Sequence, residues 1–196
     1  MGDRGRTKSS FAARKATAHR RHSPHVRHPE FVAAIRSHQN SNADWVLACV
    51  KGVSARAMAV LNGGRSCVNA STVVVPRHGA AVAAALAKKL ATIVPRPLEA
   101  PEATLAGFAN SRVPQAINRM IDKALTQPGA VDVSTATRNN DRLVDLGGQT
   151  YLQPTVVYCE DPNHELARTE FLFPFASVVE IPEKQMLHWI GPSLVV

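Results

Sequence analysis

Cysteine, aromatic residues and long apolar runs are scarce in this sequence. Only three of its 196 residues are cysteine, and 5% are aromatic. Three cysteines are too few to hold a disulfide scaffold together, so we expect reduced thiols and a cytoplasmic protein. No apolar run reaches the roughly 18 to 20 residues that a membrane-spanning helix needs, and no secretory signal is recognisable. We therefore expect no membrane partner.

The rest of the composition is that of a globular protein with excess positive charge. Hydrophobic residues make up 45% of the chain and charged residues 19%, which excludes a chain disordered throughout. A chain of 196 residues is long enough for one domain with a sizeable core and a tail. The net charge is +8. Because such an excess is also typical of nucleic-acid-binding proteins, its location along the chain matters.

The positive charge is concentrated in residues 1–30. Eight Lys and Arg residues stand against two acids there, so this segment carries +6 of the net charge of +8. Phe11 and Val26 are its only large apolar residues, so it cannot form a core, and we predict a flexible basic arm over residues 1–40. An incidental extension is the favoured interpretation, and an organelle transit peptide is a second. Nucleic-acid binding is a third, which no interleaved aromatic residues support.

The same arm contains four histidines at three-residue spacing: His19, His22, His25 and His28. On a continuous helix, such a row would offer two or more imidazoles to a metal ion. Pro24 and Pro29 interrupt a helix, and no cysteine or carboxylate joins the row. We therefore predict no metal site.

Beyond the arm, apolar periodicity predicts alternating helices and strands. Helices are predicted at residues 31–38, 45–61, 79–94 and 113–125, strands at 72–75, 130–133, 155–158 and 175–181, and a loop at 95–102. This alternation favours an α/β unit with a mainly parallel sheet. No strand is predicted before the first helix, and residues 190–196 are predicted as an apolar strand that reaches the last residue. We therefore expect a domain truncated at both ends.

A glycine-rich turn precedes the strand at 72–75, in the stretch Asn62-Gly63-Gly64-Arg65-Ser66-Cys67. A cysteine on such a turn stands on exposed backbone that a ligand can approach closely. A thiol is nucleophilic as its thiolate, and Arg65 favours that form if it faces the sulfur. The alternative is that Cys67 is a small core residue.

Two stretches together resemble the aldehyde dehydrogenase family. The family's nucleophile motif, Asn-x-Gly-Gln-x-Cys, is matched at Asn62, Gly64 and Cys67. Its later signature, Gly-x-Tyr/Phe-x-x-Pro-Thr-Val followed by Glu-x-Phe-Gly-Pro, is matched at Tyr151, Pro154, Thr155, Val156, Glu170 and Pro174. Cys67 and Glu170 are 103 residues apart, close to the family's spacing. The resemblance covers roughly residues 44–181.

The resemblance implies a three-layer catalytic domain over residues 41–196 that oxidises an aldehyde. Cys67 would attack the carbonyl to give a thiohemiacetal, which passes hydride to NAD or NADP and becomes a thioester. Water, or a thiol such as coenzyme A, would then release the acyl group. The backbone N–H of Cys67 would stabilise the oxyanion, within a nucleophile loop that includes Asn62, Gly64 and Arg65.

The resemblance also implies three cofactor-binding positions. Glu170 would hold the hydroxyls of the nicotinamide ribose, because a carboxylate accepts two hydrogen bonds at once. Leu172 stands where the family has the aromatic residue beside the nicotinamide. Phe173 stands where the family has glycine, so its ring either crowds the cofactor or replaces the missing aromatic ring. A third departure is Arg65, which stands at the family's Gln.

Much of the family's machinery has no counterpart in this sequence. No Gly-x-Gly-x-x-Gly or Glu-Leu-Gly-Gly motif occurs, so neither the cofactor-binding domain nor the general base can be located. We therefore expect an inactive fragment unless a partner chain or a second copy supplies the missing domain. The alternatives are a non-catalytic interaction module and nucleic-acid binding through the arm. The aldehyde, the choice of NAD or NADP and the final product stay open.

Overall fold

The computed structural model describes residues 32–34, 63, 70–138 and 141–192. The predicted basic arm with its histidines, and the helix predicted at 45–61, lie outside these residues, apart from the backbone of residues 32–34. So do four residues of the nucleophile motif: Asn62, Gly64, Arg65 and Cys67.

The described part of the chain contains seven strands and three α-helices. The strands are β1 Val32–Ala34, β2 Thr72–Val75, β3 Ala130–Asp132, β4 Leu143–Leu146, β5 Gln149–Leu152, β6 Thr155–Cys159 and β7 Phe175–Glu180. The α-helices are α1 Gly79–Leu90, α2 Arg112–Ala124 and α3 Glu183–Ile190, with short 3₁₀ helices at Val133–Ala136 and Glu165–Arg168. Within these residues, no helix has the length and apolar character needed to cross a membrane.

The main sheet has five strands in the order β1-β2-β7-β6-β3. All neighbouring pairs are parallel except β3 and β6, which are antiparallel. Strands β4 and β5 form a separate two-stranded antiparallel sheet. The prediction of an α/β fold with a mainly parallel sheet is therefore confirmed.

Helices cover both faces of the main sheet, which explains why β2 is a continuous valine run. Val73 and Val75 pack with the apolar side of α1, whereas Val74 belongs to the cluster on the other face, with α2 and α3. All three valines are 0% exposed. A parallel strand buried on both faces is almost continuously apolar, and the hydroxyl of its one polar residue, Thr72, is used in a hydrogen bond to the carbonyl of Ala167.

Most of the predicted elements are confirmed, with small changes at their ends. Helix α1 ends at Leu90, before the predicted end at residue 94, because the β-branched Thr92-Ile93-Val94 run and Pro95 follow. Helix α2 and strands β2, β3, β6 and β7 lie within one residue of their predicted bounds. The residues of the predicted loop at 95–102 are in neither a helix nor a strand.

Two predictions near the ends of the chain are wrong. Residues 32–34 form strand β1 and not part of a helix, because the free edge of β2 offers a parallel hydrogen-bonding partner that local periodicity does not reveal. The segment before residue 190 is helix α3, which buries Met186 and Ile190 four residues apart on one face. This helix ends at Gly191, whose φ of 66° is left-handed, so residues 190–192 do not form the predicted strand.

Candidate functional site

Strand β2 follows the nucleophile motif, strand β7 follows the segment that contains Glu170, and these two strands are neighbours in the main sheet. Strands β2 and β7 are parallel, with Thr72 opposite Ser177 and Val75 opposite Glu180. Since parallel neighbours begin at the same edge of a sheet, the residues before β2 and those before β7 enter the sheet from one side. We refer to this side as the amino edge.

Hydrogen bonds fix the 3₁₀ helix Glu165–Arg168 against the start of β2. The Thr72 hydroxyl donates to the carbonyl of Ala167 at 3.1 Å. The Ser177 hydroxyl donates to Oγ1 of Thr72 at 3.1 Å, and the Ser177 amide donates to the carbonyl of Ser71 at 2.9 Å. Thr72 and Ser177 are fully buried. The chain leading to Glu170 therefore lies at the point where the chain enters β2.

The three predicted cofactor-binding residues lie on the segment just before β7. Glu170 is 7% exposed, and Leu172 is half-buried. Phe173 is 3% exposed, because its ring packs against Phe171 and Phe175 at centroid distances of 6.0 and 5.9 Å. The rings of Phe171 and Phe175 meet edge to face at 4.7 Å. Three packed rings therefore anchor this segment in the core.

Gly63 is the described residue of the glycine-rich turn before β2. Its φ of 60° lies in the left-handed region, and a Cβ at this position would overlap Ala106. Glycine is therefore required at residue 63 by both the backbone angle and the close approach. Two residues after Ala106, the amide of Phe108 donates a hydrogen bond to the carbonyl of Thr150 in β5 at 2.9 Å. The loop around Ala106 thus connects the turn to strand β5, a contact that no sequence pattern indicated.

Tyr151 and Thr155 of the later signature are buried, and the hydroxyl group of each lies within hydrogen-bond distance of a backbone carbonyl. The hydroxyl of Tyr151 lies 3.3 Å from the carbonyl of Arg96, so it ties β5 to the 95–102 loop. The Thr155 hydroxyl donates to the carbonyl of Gln153 at 3.1 Å and accepts from Nη1 of Arg138 at 3.0 Å. These two side chains hold the backbone of the signature and are not arranged as reacting groups.

A buried ionic cluster, which the sequence did not reveal, lies beside Thr155. Oδ2 of Asp132 accepts from Nη2 of Arg138 and from Nη2 of Arg142, each at 2.8 Å. The side chains of Asp132, Arg138 and Arg142 are 4%, 7% and 6% exposed. Nη1 of Arg142 also reaches Asp122, an acid on α2 whose side chain is 56% exposed, at 2.8 Å. A cavity of about 600 Å³ adjoins the two arginines.

The described residues contain no group of three or more His, Cys, Asp or Glu side chains placed to hold a metal ion. The described cysteine, Cys159, is buried on β6. Burial, assisted by the charge of Asp161, raises its pKa from 9.0 to about 12. Cys159 is therefore a neutral thiol at physiological pH and not a nucleophile.

A model of the aldehyde dehydrogenase family matches residues 42–189. No curated protein sequence matches the chain significantly. An aldehyde dehydrogenase from Mycobacterium tuberculosis, solved with NAD⁺, is 19% identical, with a TM-score of 0.62 over 85% of this chain and 32% of that chain. The NAD⁺ complex of an aldehyde dehydrogenase from Bacillus cereus is 15% identical, with a TM-score of 0.61 over 85% and 31%.

Succinate-semialdehyde dehydrogenase from Burkholderia pseudomallei is 20% identical, with a TM-score of 0.62 over 86% of this chain and 32% of that chain. At these identities, the likeness is one of fold. The chain spans about a third of the length of the solved structures that it matches.

Proposed function

The chain belongs to the aldehyde dehydrogenase family, and from this membership we propose that it supplies the nucleophilic thiol, Cys67, for the oxidation of an aldehyde with NAD or NADP. The family model covers the nucleophile motif and the later signature alike, since both lie within residues 42–189. The proposal assigns Cys67 to bond formation with the substrate and Glu170 to cofactor binding.

The observation that carries this proposal is the parallel pairing of β2 with β7. Cys67 lies five residues before Thr72, and Glu170 lies five residues before Phe175. Both strands begin at the amino edge, and the Thr72–Ala167 hydrogen bond joins their entry segments directly. This pairing supports a shared site for two residues that are 103 positions apart in the chain.

The proposed chemistry begins with the thiolate of Cys67. Its sulfur attacks the carbonyl carbon, so that a C–S bond forms and the carbonyl electrons move onto oxygen. The backbone N–H of Cys67 donates to this oxyanion, with Asn62, Gly64 and Arg65 shaping the loop that presents it. Loss of hydride from the same carbon leaves a thioester. Attack by water, or by a thiol, breaks the C–S bond and returns the thiolate.

The residues before β7 fit a nicotinamide cofactor in part. When bound, the cofactor would accept the hydride. Glu170 provides a carboxylate at the amino edge that would accept both ribose hydroxyls, and the half-buried Leu172 provides an apolar contact beside it. Phe173 has a different role in this proposal, because its ring is enclosed by Phe171 and Phe175. It anchors the segment from the core and does not replace the missing aromatic ring.

We expect the 196 residues to show no dehydrogenase turnover alone. A general base and a second oxyanion donor are each worth roughly 10² to 10⁴ in rate, and neither was located in the sequence. A partner chain or a second copy that carries a cofactor-binding domain would have to supply them. An assay of the thiol itself is therefore a sharper first test than turnover.

The first test measures alkylation of Cys67 by iodoacetamide. A Cys49→Ser variant leaves Cys67 and Cys159, and mass spectrometry separates their peptides. We expect Cys67 to react faster than free cysteine at pH 7, because the loop favours the thiolate. The buried Cys159 should stay unmodified and serves as the internal control. A Cys67 rate no faster than that of free cysteine would favour a non-catalytic interaction module.

The second test adds a cofactor-binding partner and measures NAD(P)-dependent turnover of aldehydes. Cys67→Ala should abolish turnover, whereas the matched change Cys159→Ala should leave it intact. Glu170→Gln should raise the KM for the cofactor by about tenfold, because a neutral amide accepts more weakly than a carboxylate. Robust turnover by the Cys67→Ala protein would refute the assignment.

A further inference from the structure

Two buried hydroxyl groups lie at the amino edge, in strands that are otherwise almost continuously apolar there. Thr72 and Ser177, which we call the hydroxyl pair, are opposite each other in β2 and β7, and both are 0% exposed. The other three residues of β2 are valines. A buried hydroxyl costs free energy unless it is hydrogen-bonded, and replacing two bonded partners by apolar groups of the same shape can be nearly neutral. The sheet itself therefore does not require this pair.

The partners of the hydroxyl pair determine the direction of each hydrogen bond. The Ala167 carbonyl can only accept, so the Thr72 hydroxyl donates to it, at 3.1 Å. The oxygen of Thr72 can still accept, and the Ser177 hydroxyl donates to it at 3.1 Å. The carbonyls of Ser71 and Ala167 each lie 3.4 Å from Oγ of Ser177 and are its longer alternatives. A chain of hydrogen bonds thus runs from β7 through β2 to the 3₁₀ helix Glu165–Arg168.

We propose that the hydroxyl pair consists of positioning residues that fix residues 165–170, which we call the Glu170 segment, against the start of β2. Ala167 lies three residues before Glu170, and Thr72 lies five residues after Cys67. The pair therefore sets the spacing between the two chain segments that the proposed site brings together. This consequence for the site rests on the proposed function, whereas the hydrogen-bonded joint itself does not.

Other contacts hold the Glu170 segment and the residue before it from other sides. Nε2 of His164 lies 3.2 Å from the carbonyl oxygen of Ala124, at the end of α2. Nη2 of Arg168 donates to the carbonyl of Trp189 in α3 at 2.6 Å, and the guanidinium group lies over the Trp189 ring at 4.2 Å. These contacts join the segment to α2 and α3, so they persist when the hydroxyl pair is changed. Loss of the pair should therefore loosen the 3₁₀ helix against β2 without detaching the segment.

Substitutions of similar shape separate the two bonds of the chain. Thr72→Val removes the donor to Ala167, although the Ser177 hydroxyl can then turn to the same carbonyl at its longer distance. Ser177→Ala removes only the bond to Thr72, and the double variant removes both donors. Thr72→Ser keeps the hydroxyl and is the conservative variant. Ser134→Ala is the matched control, because Ser134 is 3% exposed and its hydroxyl accepts the Val156 amide at 2.7 Å.

The experiment measures hydrogen exchange of two backbone amides in the full chain by NMR, at one pH. The Ala167 amide donates to the His164 carbonyl at 2.9 Å and reports on the 3₁₀ helix, whereas the Ile181 amide donates to the Val75 carbonyl at 2.8 Å and reports on the sheet. In Thr72→Val, we expect exchange of Ala167 to rise about three- to tenfold, and in the double variant further. Ser177→Ala should have a smaller effect.

The controls separate positioning from general stability. Thr72→Ser and Ser134→Ala should both keep the wild-type exchange rate at Ala167. The Ile181 rate should change no more in Thr72→Val than in Ser134→Ala, since the sheet keeps its backbone pairing. All substitutions lie far from Ala167 in the chain, so the intrinsic exchange rate of its amide is the same in every variant.

Three results would overturn the proposal. They are a wild-type Ala167 rate in the double variant, a Thr72→Ser protein that exchanges as fast as Thr72→Val, and equal increases at Ala167 and Ile181. The last result would mean that the hydroxyl pair supports the sheet as a whole and does not position the Glu170 segment. The measurement uses no aldehyde, cofactor or reaction of Cys67, so its outcome is separate from that of the Cys67 alkylation test.

Discussion

Asp132 is the buried carboxylate that Arg138 and Arg142 share, and Arg142 has a second, exposed partner in Asp122, so neutralising Asp132 is a demanding test of this packing. In Asp132→Asn the shape is kept and Oδ1 still accepts from the Ser134 amide, a 3.0 Å bond in the wild type. The group that replaces Oδ2 is an NH₂, which faces the donors of Arg138 and Arg142. Two guanidinium groups, 7% and 6% exposed, then lose the acceptor that they share.

The magnitude follows from this burial. Removing one partner of a buried ion pair costs about 3 to 5 kcal/mol, because the remaining charge is left uncompensated. This is a large share of the roughly 5 to 15 kcal/mol by which domains are stable. Asp122 is the matched control, because it contacts the same Arg142 but its side chain is 56% exposed. Asp122→Asn should cost about 0 to 1 kcal/mol.

Urea unfolding followed by circular dichroism measures both changes. With a slope of about 2 kcal/mol per M, Asp132→Asn should lower the midpoint by roughly 1.5 to 2.5 M, and Asp122→Asn by less than about 0.5 M. Replacing all three members by apolar residues (Asp132→Leu, Arg138→Met and Arg142→Met) should recover most of the loss. Equal costs for the two single variants would refute the reasoning, because burial would then not decide the energetics of this cluster.

Three further predictions concern the core. With Cys49→Ser and Cys67→Ser in place, iodoacetamide should leave native Cys159 unlabelled at pH 8 and label it in urea; labelling of the native protein at the denatured rate would contradict its burial. Burial raises the pKa of Cys159 from 9.0 to about 12, so the folded state holds this proton more tightly than the unfolded state. The stability that the thiol contributes is therefore full below pH 9 and declines toward pH 12. In urea titrations, Cys159→Ala should make this alkaline loss of stability shallower. Phe173→Gly restores the family's residue but removes a ring enclosed by two others, so it should lower the free energy of unfolding by about 3 to 5 kcal/mol. Leu172→Ala, at a half-buried position, should lower it by less than about 2 kcal/mol. A urea midpoint for Phe173→Gly near that of the wild type would show that the ring is dispensable.

The elements that local sequence predicted well are those whose own residues specify them. Strand β2 is a run of β-branched residues that suits a strand buried on both faces. Helix α2 has a strong apolar stripe that includes Ile117 and Ile121. Strand β1 and helix α3 were missed because distant groups decide them: β1 depends on the edge of β2, and α3 on the core that receives Met186 and Ile190.

The candidate site likewise contains residues that a motif predicts and residues that only long-range packing brings together. The positions of Glu170 and Leu172 were read from a motif, and the sheet pairing supplies the reason why that motif lies at the amino edge. The ionic cluster had no signature, because Asp132, Arg138 and Arg142 resemble surface residues until β3, a 3₁₀ turn and β4 bring them together. Side-chain roles that arise from long-range packing in this way are invisible to periodicity.

The pairing of β2 with β7 also has a consequence for the order of events during biosynthesis. Thr72 and Ser177 touch although they are 105 residues apart, so β2 emerges from the ribosome long before its neighbour exists. Closing a loop of that length has an entropic cost and slows folding. Until β7 arrives, one edge of a strand that contains three consecutive valines is open to unwanted association, which makes a chaperone most valuable over this interval.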